Sequence, residues 1–171
     1  KLIIGYIDKN SVDTGINGPY DDPETEVRNL SHLLVILSIE YLKFGKYEYK
    51  EVIVSIAERL LTFRGVDGIY KMRQKQGKDE CNGVIGHAWL NEGYIYAYKV
   101  TDDRKYIDEA VRICKMHLFQ PKIGLWGRPL KGNDDNAIDY TFNHQLWYAA
   151  TLCELLQYEA DKEMSLELEI F

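Results

Sequence analysis

Residues 85–106 read IGHAWLNEGYIYAYKVTDDRKY and decide the fold class. Apolar side chains dominate from Ile85 to Val100, and a helix that is apolar nearly all round is typical of one buried on every side. Thr101-Asp102-Asp103 is a short polar break suited to the start of a new helix. From Asp103 to Leu118 the apolar residues recur on one side only, which predicts an amphipathic helix. The stretch therefore predicts a helical hairpin with one buried and one half-exposed helix.

The same pattern occurs upstream and downstream of this hairpin. Asp22-Pro23-Glu24 predicts the start of a buried helix that ends at Phe44, and an amphipathic segment follows from Tyr47 to Phe63. A third buried helix is expected to begin near Thr141. The tail, residues 163–171, alternates polar and apolar residues as a strand does, whereas the repeat predicts another helix. We therefore leave the conformation of the tail open.

Two long links separate the hairpins, at about residues 64–84 and 119–140. Links of this length are uncommon unless they are functional or carry structure of their own, so short strands are possible in both. The predicted fold is all-α, an α/α toroid-like array of about three helical hairpins across residues 23–171. Residues 1–22 are predicted to be an irregular N-terminal segment. In this arrangement the links lead into the N-termini of the buried helices and surround a funnel.

Composition limits the partners. The 171 residues include 21 basic and 27 acidic side chains, a net charge of −6, which argues against nucleic acid or an anionic membrane. Three widely spaced cysteines form no CxxC pair, which favours a reduced, cytoplasmic compartment without thiolate zinc. Three hairpins would leave apolar inner-helix edges open. We therefore expect either a second copy or the remainder of a longer chain to complete the core.

One histidine lies near the start of each buried helix: His32, His87 and His144, at spacings of 55 and 57 residues. Histidine suits proton transfer near neutral pH, and His87 and His144 are candidate paired acid/base groups. Neighbouring helices lie 8–10 Å apart, so three histidines would hardly converge on one metal ion, and no metal or cofactor is expected. The alternative is that these histidines are capping or core groups, which the leucines around His32 favour.

Candidate acid and sugar-binding groups lie beside these histidines. Asp139 precedes the third buried helix and is a candidate general acid or base, although a glycosidase needs two carboxylates that flank the bond. Trp126 in the second link is a candidate for stacking on a sugar, or it pins the link to the core. The remaining predicted substrate-binding residues are Arg128, which suits a carboxylate, and Trp89, Tyr140 and Asn143.

These strings carry a family resemblance. Residues 85–90, followed by 96–98 and 101–106, resemble one hairpin of the six-hairpin (α/α)6 toroid glycosidase-like superfamily. Gly124-Leu125-Trp126 is similar to the loop strands that follow such hairpins there. The resemblance covers about residues 24–160 and is architectural. The superfamily includes unsaturated glucuronyl hydrolases, polysaccharide lyases and N-acylglucosamine 2-epimerase-like enzymes.

The resemblance implies a carbohydrate-active enzyme of one of two branches, and the stacked hairpins leave a third, non-catalytic alternative open. The hydrolase or lyase branch implies aspartate acid/base chemistry on an oligosaccharide or uronic acid, and Asp139 is the nearest match. The epimerase branch implies paired histidines, here carried over only to His87 and His144. A non-catalytic helical-repeat module that binds its partner on a concave surface is the third alternative.

Overall fold

The computed structural model describes residues 23–66, 68, 70, 73–75, 78–80, 83–129 and 138–171, so the predicted irregular segment 1–22 lies outside it. The described part contains six α-helices: α1 (Pro23–Phe44), α2 (Lys50–Leu61), α3 (Gly83–Thr101), α4 (Lys105–Cys114), α5 (Phe142–Leu155) and α6 (Lys162–Ile170). A 3-10 turn over Tyr47–Tyr49 precedes α2.

The helices pack as three hairpins in two layers. The inner helices are α1, α3 and α5, and α3 packs between the other two. Helices α2 and α4 cover them from outside, each against the inner helix of its own hairpin and the next one, and α6 packs on α5. Leu34, Ile53, Tyr94, Ile107 and Leu152 have no exposed surface, so the core lies between the layers. The predicted array of three hairpins is confirmed.

Gly93 sets the spacing between the first two inner helices. A Cβ atom added there would lie 3.3 Å from Leu34 Cδ2 and 3.7 Å from Ser31 Cα of α1. A methyl group there would require Leu34 to shift by a few tenths of an ångström, so Gly93 allows α1 and α3 to pack closely.

Two antiparallel hairpins occupy the long links, as expected. In the first link β1 (Arg73–Lys75) pairs with β2 (Lys78–Glu80). In the second link β3 (His117–Gln120) pairs with β4 (Leu125–Pro129) and sets Phe119 opposite Trp126.

The structure corrects one predicted helix end and decides the conformation of the tail. The helix predicted to reach Leu118 ends at Cys114, because the residues from His117 onward bond to β4 instead. The tail is helical, as the repeat predicted, and its N-cap Asp161 accepts hydrogen bonds from the N–H groups of Glu163 and Met164.

The prediction that α1 is buried on every side is wrong. Ile36 is 55% exposed and Leu42 is 45% exposed. Within the described residues α1 packs on α3 and α2 but has no inner helix on its other flank. An inner helix at the end of an open array keeps part of its apolar surface exposed.

Among the described residues, no helix combines the length and the hydropathy needed to cross a membrane. The cytoplasmic location stays a prediction.

Candidate functional site

An acid–base pair lies at the N-terminus of inner helix α5. His144 Nδ1 donates to Asp139 Oδ2 at 2.8 Å, and the N–H of Thr141 donates to Asp139 Oδ1 at 2.9 Å. A carboxylate only accepts, so Nδ1 carries the proton and Nε2 is the basic nitrogen of neutral His144. Burial opposes ionisation of Asp139, but the bonds from His144 and Thr141 outweigh it and lower its pKa. The pair is a partly exposed imidazole oriented by an ionised carboxylate.

The backbone around Asp139 is held by a buried amide. Gln145 is 1% exposed, and its Nε2 donates both to the Asp139 carbonyl and, at 2.9 Å, to the Trp126 carbonyl. Gln145 Oε1 accepts the N–H of Trp126 at 3.0 Å. One side chain therefore ties strand β4 and the loop before α5 to the helix that carries His144.

Three aromatic rings meet where the inner helices face one another. The ring of His32 stacks on Trp147 with a centroid separation of 5.9 Å and an interplanar angle of 4°. Trp89 meets His32 edge-on at 5.6 Å and Trp147 edge-on at 6.4 Å. We call His32, Trp89 and Trp147 the aromatic cluster. Since Trp147 lies three residues after His144, both side chains lie on one face of α5.

Two charged groups border the aromatic cluster. Arg28, four residues before His32, lies over the Trp89 ring at 5.8 Å. Glu92, three residues after Trp89, accepts the indole N–H of Trp147 at 3.1 Å. Burial raises the pKa of Glu92 despite that hydrogen bond. The surface thus combines aromatic faces with one cation and one carboxyl whose pKa is raised.

His87 lies in a different environment. It is fully buried, and its Nδ1 is 2.7 Å from Nε2 of His117. His117 Nδ1 donates to the Gly127 carbonyl at 2.6 Å, so its Nε2 accepts the proton of His87 Nδ1. Burial lowers the pKa of His117 to about 4, and burial with His117 and Arg112 nearby holds the pKa of His87 well below 6.5. The pair is neutral at physiological pH and fastens β3 to α3.

A second buried polar group lies beside His87. The Tyr70 ring meets the His87 ring edge-on at 6.1 Å, and the Tyr70 hydroxyl donates to Glu109 at 2.7 Å. Arg112 and Arg64 both donate to the same carboxylate. Burial would raise the pKa of Glu109, but these hydrogen bonds and charges lower it below its ordinary value. The arrangement anchors the first link to α3 and α4.

The structure brings some predicted site residues together and separates others. His144 and Asp139 form one pair, with exposed Tyr140 and Asn143 beside them in the chain. Trp89 belongs to the aromatic cluster. Trp126 has no exposed surface, donates its indole N–H to Glu167 and packs on Tyr148, which fits the alternative that it pins the link. The side chain of Arg128 lies outside the described parts, so its carboxylate contact stays a prediction.

Sequence reasoning missed His117 and Trp147. His117 fell inside a helix predicted to reach Leu118, which concealed its place at the start of a strand. Trp147 lies in the third helix predicted to be buried, yet it is 38% exposed. Its spacing of three residues from His144 is the pattern that identifies a shared face. In the described part of the chain, no three His, Cys, Asp or Glu side chains lie close enough to hold a metal ion.

Comparison with known proteins supports the class of fold. No protein-family model matches the chain. Among solved structures it is similar to a D-mannose isomerase, with a TM-score of 0.66 at 14% identity over 84% of this chain and 38% of that one. This likeness shows the fold alone, and the chain is an all-α, partial α/α toroid.

A curated relative shares more of the sequence. The chain is 34% identical over 163 residues to the archaeal glycosylation protein Q of Haloferax volcanii. The matched stretch covers 94% of this chain and 44% of that protein. The chain thus spans less than half the length of either protein.

Proposed function

We propose that this chain carries a carbohydrate-active site in which His144 transfers protons on a sugar and Asp139 positions and stabilises its imidazole. The observation that carries the proposal is the 2.8 Å His144–Asp139 pair, on the same helix face as the stacked Trp147. His87 has a structural role in this proposal, because its ring is buried against His117.

The two comparisons favour a sugar as the substrate. One relative is named for glycosylation and the solved structure is named a D-mannose isomerase. Aromatic rings suit the apolar faces of sugars, and Trp147 and Trp89 supply them. Isomerisation of an open-chain sugar requires a base that removes a proton from the carbon beside the carbonyl and returns it to the neighbouring carbon. Histidine performs this exchange near neutral pH.

In the proposed step, His144 Nε2 accepts the carbon-bound proton, and the carbonyl oxygen becomes an enediolate oxygen. Asp139 keeps the proton on Nδ1 and stabilises the imidazolium. Return of the proton to the adjacent carbon, with transfer of a hydroxyl proton to the enediolate oxygen, gives the isomer.

A glycoside hydrolase or lyase is the second candidate, because two carboxyls border the same face of α5: Asp139 bonds to His144, and Glu92 accepts the indole N–H of Trp147 three residues further along. The pKa of Glu92 is raised by burial, whereas that of Asp139 is lowered by its hydrogen bonds. Opposite shifts of this kind separate a general acid from a base.

Solvent deuterium separates these candidates. The chain is incubated in D₂O with aldoses, ketoses, uronic acids and their oligosaccharides, and products are followed by NMR. Isomerase chemistry predicts that deuterium enters a carbon-bound position of the sugar. This deuterium incorporation should be lost in His144→Gln and strongly reduced in Asp139→Asn. Hydrolysis predicts new reducing ends without carbon-bound deuterium, and a lyase predicts a new double bond.

The matched control is Cys153→Ser, an exposed change on the same helix α5 that should leave the rate unchanged. A folded chain that yields no exchange, reducing end or double bond with any of these sugars would contradict the proposal. Equal deuterium exchange in wild type and in His144→Gln would show that His144 is not the group that transfers the proton.

A further inference from the structure

We infer that Arg28, His32 and Trp89 form a subsite for an anionic oxygen group of the ligand, a carboxylate or a phosphate. The inference rests on the proposed function only in taking that ligand to be a sugar derivative. We call these three residues the anion subsite.

The first observation is a pair of buried polar atoms without partners. Trp89 Nε1 and His32 Nε2 are shielded from solvent and have no hydrogen-bond partner among the described residues. Their rings meet edge-on at 5.6 Å. A buried polar group with no partner costs free energy, and native structures rarely tolerate it without a ligand, ion or water. Both atoms therefore call for a partner beyond the described residues, and one ligand group against the adjoining rings would supply it.

The second observation concerns which chemistry would satisfy them. An indole N–H and a guanidinium are donors only, so Trp89 and Arg28 both need an acceptor. Burial, and the charge of Arg28, lower the pKa of His32, which keeps it neutral with one ring N–H to offer. A group that accepts several hydrogen bonds and carries negative charge matches this set, and carboxylate and phosphate oxygens are such groups.

The third observation is the charge balance. Arg28 is exposed, and no carboxylate among the described side chains pairs with it; its guanidinium carbon lies 5.8 Å from the centroid of the Trp89 ring. Glu92 is the nearby acid on α3, but its oxygen is engaged by the Trp147 indole at 3.1 Å. Burial also raises the pKa of Glu92 above its ordinary value. The guanidinium of Arg28 lies over the Trp89 ring, whose Nε1 has no partner among the described residues, and its exposed side chain can move to admit a ligand.

Matched sugars test the inference by calorimetry or tryptophan fluorescence at low salt. D-glucuronate and D-glucose 6-phosphate are each compared with D-glucose. We expect one of the two acids to bind at least about tenfold more tightly than D-glucose, as a charge-assisted contact implies. The acid that binds more tightly identifies the group, carboxylate or phosphate.

Substitutions in the subsite, with a control on the same helix as Arg28, locate the effect. Arg28→Gln should abolish the preference for the acid and Trp89→Phe should reduce it, whereas Arg28→Lys keeps part of it. Lys43→Gln, which removes an exposed cation from the same helix, should change nothing. Equal affinity for acid and neutral sugar, or an unchanged preference in Arg28→Gln, would overturn the inference.

The outcome is separable from the proposed reaction. An acid preference that depends on Arg28, without any turnover, would keep the anion subsite and contradict the proton transfer. Turnover confined to neutral sugars would support His144 chemistry and contradict the subsite. His144→Gln should retain the acid preference in binding, because His144 is not a member of the subsite.

Discussion

The buried histidine pair makes a quantitative prediction about acid stability. The pKa of His117 is about 4 in the folded protein, against about 6.5 for an unfolded histidine. Between those values the unfolded chain binds the proton and the folded chain does not, so the free energy of unfolding falls as pH falls through this window. A difference of about 2.5 in pKa corresponds to about 3 kcal/mol, fully available above pH 6.5 and lost near pH 4.

His117→Gln isolates this contribution. A glutamine keeps an acceptor for His87 and a donor for the Gly127 carbonyl but does not titrate. Urea unfolding at intervals from pH 7.5 to pH 4.0 should show that wild type loses about 3 kcal/mol more than the variant. Carboxylates shared by both proteins cancel in the difference, and His87, whose pKa is lowered in the same direction, steepens both curves. Parallel curves, or a variant that loses more stability than wild type, would refute the claim that the pair is buried and neutral.

Three further changes test the packing. Gly93→Val should lower the free energy of unfolding by about 1–3 kcal/mol in denaturant titrations, because the new side chain would meet Leu34 across α1 and α3; no loss would mean that the helices lie further apart. Trp126→Ala should cost about 3–5 kcal/mol if this buried ring pins the second link, whereas a change in sugar affinity without loss of stability would contradict that role. Asp161→Ala should cost about 1 kcal/mol and reduce α6 helicity in circular dichroism, since it removes the cap from Glu163 and Met164, and unchanged helicity would contradict it.

The helices could be predicted from the sequence because the spacing of apolar residues and the residues that start and stop helices both depend on local structure. Pro23 and Gly45 mark the ends of α1, and the structure places the helix between them, with Gly45 at φ +66°. The conformation of the tail stays open in the sequence because its alternation indicates a strand whereas the repeat predicts a helix, and in the structure the Asp161 cap begins a helix there.

The arrangement of the histidines depended on contacts that no local pattern shows. The three helix-start histidines looked equivalent because their spacing matched the repeat. The structure separates them: His87 meets His117 from a strand, His32 stacks on Trp147, and His144 bonds to Asp139. Each partner comes from a different element or an irregular link, so helical periodicity could not assign it. The nearness of Asp139 to His144 could be expected from the sequence, because only five positions separate the two residues.

The central claim is that sugars bind at the inner-helix face with His144 and the aromatic cluster. Side-chain NMR of the chain's four histidines, recorded with and without a saturating sugar from the exchange experiment, tests it most directly. The account predicts that the signals of His144 and His32 shift, while those of the buried His87 and His117 stay in place. Shifts at His87 and His117, with His144 and His32 unchanged, would contradict it.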